Sequence, residues 1–280
     1  MINNDIKNTP MEKNKKLSII TINRNNGDGL RQTLASVACQ TSRHSIEHIV
    51  IDGASTDNSV DVLNEYSDRL DYWISEVDKG IYNAMNKGTQ IATGEYCLYL
   101  NSGDCLASSD VIERVLGKLD RDIVCGRVKI VNGKMNRDCI IPPKIVTANL
   151  MIRDTLPHPS SFIKRALLLK RPYDESMKIC ADWRFFFDTF FYDDITYKSI
   201  SDLITNFDAN GISSTMPYTE KFDYLERTVP PGILKELKAL PNELIGIYTH
   251  ELENGQGVVS LMVKLNRIFA TCYKVLKKIH

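Results

Sequence analysis

The chain has 280 residues, 43% hydrophobic and 25% charged, with 35 Lys and Arg set against 35 Asp and Glu. Such a balance excludes a disordered or collagen-like chain, and no window holds the roughly 18 uninterrupted apolar residues of a bilayer crossing. A formal charge of zero and a pI near 6.9 also exclude a protein whose main business is coating nucleic acid, because phosphate neutralisation requires a basic excess.

Residues 1–16 are polar and rich in Asn and Lys, and are read as a flexible N-terminal segment without the apolar stretch of a secretory signal. Seven scattered cysteines, with no C-x-x-C pair, indicate neither a disulfide framework nor a zinc site. The expected location is therefore the cytoplasm. Leu17–Ile22 is a short apolar run, and Leu30, Leu34, Val37 and Ala38 then share one helical face. Glu47–Ile51 predicts a second strand ending at Asp52, followed by a helix whose inner face carries Val60, Leu63 and Tyr66. Tyr72–Ser75, Ile81–Ile91 and Tyr96–Leu100 read as strand, helix and strand. Alternation of this kind predicts a Rossmann-like α/β fold, a mostly parallel sheet flanked by helices.

In open α/β sheets ligands sit beyond the carboxyl ends of the strands, and here those ends are polar. They run into Thr21-Ile22-Asn23-Arg24, Asp52, Glu76–Gly80 and Asn101-Ser102-Gly103-Asp104. Past residue 120 the pattern weakens into a strand over Asp122–Ile130, a turn at Asn132-Gly133 and the segment Leu156–Ser160. A periodic helix with Trp183, Phe186, Phe187, Phe190 and Phe191 on one face follows, its aromatics read as core rather than as a sugar platform. Beyond Pro230-Pro231 the chain is helical in character.

Each candidate side chain has a plain structural alternative. Asp104, in a glycine-containing turn after an apolar strand, is suited to a hard divalent cation, or simply to closing the turn. Asp52 is an acceptor for base or ribose donors, or an Asx-turn residue. Lys79 beside Gly80 lays an ammonium against phosphate, or is a solvated loop lysine. Asp182 at the start of the aromatic helix is a proton acceptor, or that helix's N-cap. His158, between two prolines in a segment restricted to extended backbone, would bond the acceptor or a diphosphate, or is a loop histidine.

The residues Ser18-Ile19-Ile20-Thr21, Ile51–Asp57, Asp78–Gly88 and Asn101-Ser102-Gly103-Asp104 resemble the family 2 glycosyltransferases of GT-A fold, and more loosely so do His158-Pro159-Ser160, Ala181-Asp182-Trp183 and Gly211-Ile212-Ser213. Asp78–Gly88 resembles the branch that builds bacterial surface polysaccharides, including the colanic-acid-type transferases. The resemblance implies a nucleotide-diphosphate sugar donor, a divalent metal (Mn or Mg) and inversion at the anomeric carbon. It also implies site roles: Thr21, Asn23 and Asp52 on the nucleoside side, Lys79 and Gly80 on the phosphate side, Ser102 and His158 at the substrate, Asp104 at the metal and Asp182 as base. Family members often carry two adjacent acids at the end of the fourth strand, and here Gly103 stands where the first would be.

The expected organisation is a GT-A catalytic domain over 17–215, divided into a nucleotide-binding half (17–106) and an acceptor half (107–215), then an α-rich C-terminal extension over 216–280. Residues 258–280 carry lysines and arginine among apolar groups and no acid, which suits either an anionic membrane surface or packing on the catalytic domain. A saccharide or lipid-linked saccharide acceptor and no nucleic-acid partner complete the expectation. The alternatives are a non-catalytic nucleotide-sugar-binding protein and a nucleotidyltransferase, which would normally show a Gly-rich phosphate loop near the first strand, and Thr21–Gly29 is not one.

Overall fold

The alternation of apolar runs and amphipathic segments becomes, in the computed structural model, β1 (Leu17–Asn23), α1 (Gly27–Ala38), β2 (Ile46–Asp52), α2 (Ser59–Tyr66), β3 (Tyr72–Ser75), α3 (Ile81–Ile91), β4 (Tyr96–Tyr99), β5 (Cys105–Leu106), α4 (Val111–Leu116), β6 (Ile123–Val131), β7 (Cys139–Ile140), α5 (Ala148–Arg153), β8 (Ser161–Lys164), α6 (Arg165–Lys170), α7 (Ala181–Tyr192), β9 (Tyr197–Asp208), α8 (Thr219–Thr228) and α9 (Pro231–Ala239). The structure describes residues 15–131, 138–211 and 218–239. The predicted turn at Asn132-Gly133, Ile212-Ser213 and the basic stretch 258–280 lie outside them, as do residues 1–14. Among the described residues no helix is long and apolar enough to cross a membrane.

The chain divides into two units, residues 1–142 with 156–217, and residues 143–155 with 218–280. In the first, the sheet order is β3-β2-β1-β4-β8-β6-β9-β5, with β7 paired to β6. β3, β2, β1 and β4 are mutually parallel, β8 runs antiparallel to both β4 and β6, and β6 and β9 are parallel. In the second unit Asn149 Nδ2 of α5 donates to the Leu237 carbonyl of α9 at 2.8 Å, and Lys221 Nζ of α8 donates to the Asp154 carbonyl at 3.0 Å.

Central strands covered on both faces cannot expose polar side chains, so those present must pair internally. Every residue of β1 and β2 is buried. Accordingly the Ser18 hydroxyl donates to Glu47, and Thr21 Oγ1 lies 3.1 Å from His48 Nε2. The parallel register sets Asn23 directly beside Asp52, so two polar strand ends finish flush at one rim. One core cluster, built on Leu17, Ile19, Leu98, Val124 and Phe162, lies under that rim, and a second gathers Leu30, Leu34, Val50, Val62 and Leu63.

Two local expectations are revised. Asp182 is not the N-cap of its helix: α7 begins at Ala181 and its N-cap is Cys180, whose side chain makes no capping bond. His158 is not in extended backbone; it opens a short 3₁₀ turn over His158–Ser160, a conformation that Pro159 suits at an early helical position.

Candidate active site

At the ends of β1 and β2 a buried network joins three of the predicted residues. Asn23 Nδ2 donates to Asp52 Oδ1 (2.7 Å) and Ser59 Oγ (2.9 Å), while Asn23 Oδ1 accepts from Ser102 Oγ (2.7 Å). Asp52 also accepts from Ser55 Oγ (2.6 Å), Ser55 N (2.9 Å) and Ser75 Oγ (2.6 Å), and has no solvent exposure. A carboxylate saturated this way ties strand ends together; here Asn23 at the end of β1, Ser55 after β2 and Ser75 at the end of β3, with Ser102 after β4 joined through Asn23. Thr21 stays outside this network, its hydroxyl turned to His48.

The segment after β3 is organised by its own side chains. Gly80 N donates to Asp78 Oδ1 (2.8 Å) and Lys79 N to Asn83 Oδ1 (3.1 Å), which satisfies amides at the start of α3. Gly80 is the N-cap of α3, at φ 121°. Lys79 is exposed.

The start of α7 meets α3. Tyr82 Oη donates to Asp182 Oδ1 at 2.9 Å, and Asp182 is half-buried. Asn83 and Asn86 of α3 both donate to Glu175 (2.9 and 3.0 Å), and Tyr173 N donates to Asn86 Oδ1 (3.0 Å), so the loop leading to α7 is fastened along α3. His158 Nε2 lies 2.9 Å from Tyr173 Oη, and its ring stacks on Tyr99 at 5.0 Å between centroids. Burial lowers the His158 pKa, opposed by the negative charge of Asp182.

Asp104 is 3% exposed and sits in the turn after β4. Its Oδ1 accepts from the backbone N of Asp208, the last residue of β9, at 2.9 Å. Burial pushes its pKa up to about 7, the nearby Asp208 charge acts in the same direction, and the bond from Asp208 N opposes both. β9 reaches the other side of the site as well, since Thr205 Oγ1 donates to the Pro159 carbonyl beside His158 at 2.6 Å. β9 thus ties the Asp104 turn to the histidine turn.

Among the described residues no three His, Cys, Asp or Glu side chains converge as a metal-binding group. The turn nevertheless suits a hard divalent cation, which takes one or two protein carboxylates and completes its shell with phosphate and water. Its donors are all oxygens, and Asn101 Oδ1 in the same turn is sealed from solvent with no hydrogen-bond partner among the described residues. Asp104 would be the principal ligand.

Sequence reasoning missed two residues of this site. Tyr82 lies within a quoted motif but received no role, and Asp208 carried no local signal. Each meets its partner only across long chain separations, 100 and 104 residues.

A four-stranded parallel half-sheet with a polar carboxyl rim, extended through antiparallel β8, is the GT-A arrangement, and solved structures share it. The S. aureus TarS 1-349 structure in complex with UDP aligns at a TM-score of 0.62 with 20% identity, over 76% of this chain and 63% of that one. The chain therefore spans less than two thirds of that fragment. A mannosyltransferase from Pyrobaculum calidifontis in complex with GDP-Man and Mn2+ aligns at 0.55 with 16% identity, over 80% and 68% of the two chains. Residues 18–170 match Glycosyl transferase family 2, and the chain belongs to that family. An uncharacterized glycosyltransferase of Mycobacterium tuberculosis is 32% identical over 219 residues, 75% of this chain and 82% of the relative. A PGL/p-HBAD biosynthesis glycosyltransferase of Mycobacterium bovis is 26% identical over 231 residues, 77% and 86%.

Proposed function

We propose that this glycosyltransferase moves a sugar from a nucleotide-diphosphate sugar to a saccharide or lipid-linked saccharide, with inversion, in surface polysaccharide assembly. Support for the donor class comes from the fold neighbours, whose structures hold UDP, UDP-GlcNAc or GDP-Man. A mycobacterial relative is named a PGL/p-HBAD biosynthesis glycosyltransferase, and a lipid-linked saccharide is one form of the acceptor proposed. Such an acceptor would bring the enzyme to the inner face of the cell membrane, with the acid-free 258–280 stretch as its contact.

The observation that carries the reading is the carboxylate of Asp182, half-buried in the first turn of α7 and held by the Tyr82 phenol of α3, the helix that Lys79 and Gly80 lead into. In the proposed reaction an acceptor hydroxyl oxygen bonds to the anomeric carbon as the bond to the donor diphosphate breaks. The diphosphate leaves with the electron pair, and the acceptor proton passes to Asp182. Asp104 would hold a divalent cation, which as Lewis acid and template neutralises the departing diphosphate. Lys79 and the Gly80 backbone serve the diphosphate side, His158 positions substrate, and Thr21, Asn23, Asp52 and Ser102 form the floor of the nucleoside pocket.

The test is a donor screen by thermal shift with and without Mn2+, followed by transfer assays that read the anomeric configuration of the product. Asp104→Asn should abolish metal-assisted donor binding, and Asp182→Asn should keep binding but lose transfer. Transfer by Asp182→Asn at the parent rate would remove Asp182 as the base; a retained anomeric configuration would remove inversion.

A further inference from the structure

The turn at Asn101–Asp104 has one carboxylate where a cation site usually benefits from two, because residue 103 is glycine. That glycine has a backbone reason: its φ is 104°, a conformation side chains rarely adopt. The space a side chain would enter is nevertheless occupied by an acid from elsewhere. A Cβ built on Gly103 would lie 3.4 Å from Asp208 Oδ2 and 3.5 Å from Asp208 Cβ. Asp208 Oδ1 is engaged by Asn210 N (3.1 Å), and its own backbone N is bonded to Asp104 Oδ1. Oδ2 is thus the Asp208 oxygen turned toward the glycine of the turn.

We infer that Asp208, delivered by the end of β9, supplies the second carboxylate to the divalent cation that Asp104 would hold, in place of the acid missing at Gly103. This rests on the reading of Asp104 as a metal ligand. Three features of different kinds support it. Asp104 is almost fully buried, one residue from Gly103. The Asp208 backbone bond holds the two acids together. Asn101 Oδ1, in the same turn, is a buried oxygen with no hydrogen-bond partner among the described residues. Two carboxylates plus neutral oxygens is the donor chemistry of Mg2+ or Mn2+, not of a thiophilic metal.

The experiment is a titration of the purified full chain with Mn2+ alone, followed by loss of the free-ion electron paramagnetic resonance signal. Asp208→Asn retains the oxygen that accepts from Asn210 and removes the charge. It should weaken Mn2+ binding about tenfold or more, while Asp208→Glu stays within about threefold of the parent and Asp104→Asn loses binding. Parent-like binding by Asp208→Asn, with binding lost in Asp104→Asn, overturns the inference and leaves the reading of Asp104 standing. Parent-like binding by Asp104→Asn, or no binding by the parent, overturns both. Melting curves in EDTA check that each variant is folded; should Asp208→Asn fail that check, Asp208→Ser is held to the same criterion.

Discussion

The phenol of Tyr82 donates a 2.9 Å hydrogen bond to Asp182 Oδ1, joining the first turn of α3 to the first turn of α7 across 100 residues of chain. Tyr82 is 5% exposed, so the donor is fixed by packing and aims the carboxylate in turn. Removing the hydroxyl leaves Asp182 in the site but free to rotate. Tyr82→Phe should lower kcat about 10- to 100-fold while leaving the donor KM nearly unchanged, as expected when orientation rather than binding is lost. In an Asp182→Asn background the same change should have little further effect, which a double-mutant cycle of transfer rates will read.

Asp52 tests the floor of the rim. Its two oxygens accept from Asn23, Ser55 and Ser75, and an amide in its place would turn a donor toward donors. Asp52→Asn should cost about 1–3 kcal/mol of stability and weaken UDP or GDP binding in parallel, because under the proposed function the loops it joins carry the nucleoside pocket. Ser75→Ala, which removes a single donor, should show a smaller loss in both. Chemical denaturation and nucleotide-induced thermal shifts measure the two quantities on the same samples. Normal nucleotide binding by a destabilised Asp52→Asn would detach the network from the pocket.

His48 predicts a pH dependence of folding. Burial, reinforced by repulsion from Arg43 and opposed by Asp71, lowers its pKa to about 3, against the usual value near 6.5. Between those values the unfolded chain binds a proton that the folded protein does not. The neutral buried imidazole therefore contributes stability that is present above pH 6.5 and is lost as the pH falls toward 3. His48→Gln can keep a bond to Thr21 without titrating. Its stability should fall less steeply than the parent's between pH 6 and pH 4, by about 1.4 kcal/mol per pH unit in urea denaturation. Parallel curves for the two proteins would contradict this.

Gly88 sets a packing limit under the site. A Cβ there would lie 2.5 Å from Ile20 Cγ2, and Ile20 is fully buried in β1. Alanine improves helix propensity by about 1 kcal/mol, but overpacking a branched side chain in a central strand costs about 1–3 kcal/mol. Gly88→Ala should therefore be destabilising on balance, with a lower melting temperature and donor affinity little changed. A raised melting temperature would show that α3 can move away from the sheet at little cost.

Much of this protein was legible without coordinates, because strands, helices and rim loops are announced by local periodicity and turn residues. Ile81–Ile91 is bounded by the glycine before it and by its own apolar spacing, and Asn23, Asp52 and Asp104 each follow an apolar run that ends a strand. Tertiary structure alone decided what those polar ends do. Asn23 and Asp52 bond to each other because parallel pairing aligns β1 with β2, a register no single segment encodes. Asp182 is not an N-cap because its helix begins one residue earlier, and it is met by Tyr82 from a separate helix. Asp208 reaches Gly103 only because β9 returns alongside β6 after a long excursion. Hydrophobic period acts over a few residues, whereas a carboxylate's neighbours are set by how distant segments pack, and the charge environment of this site belongs to that second scale.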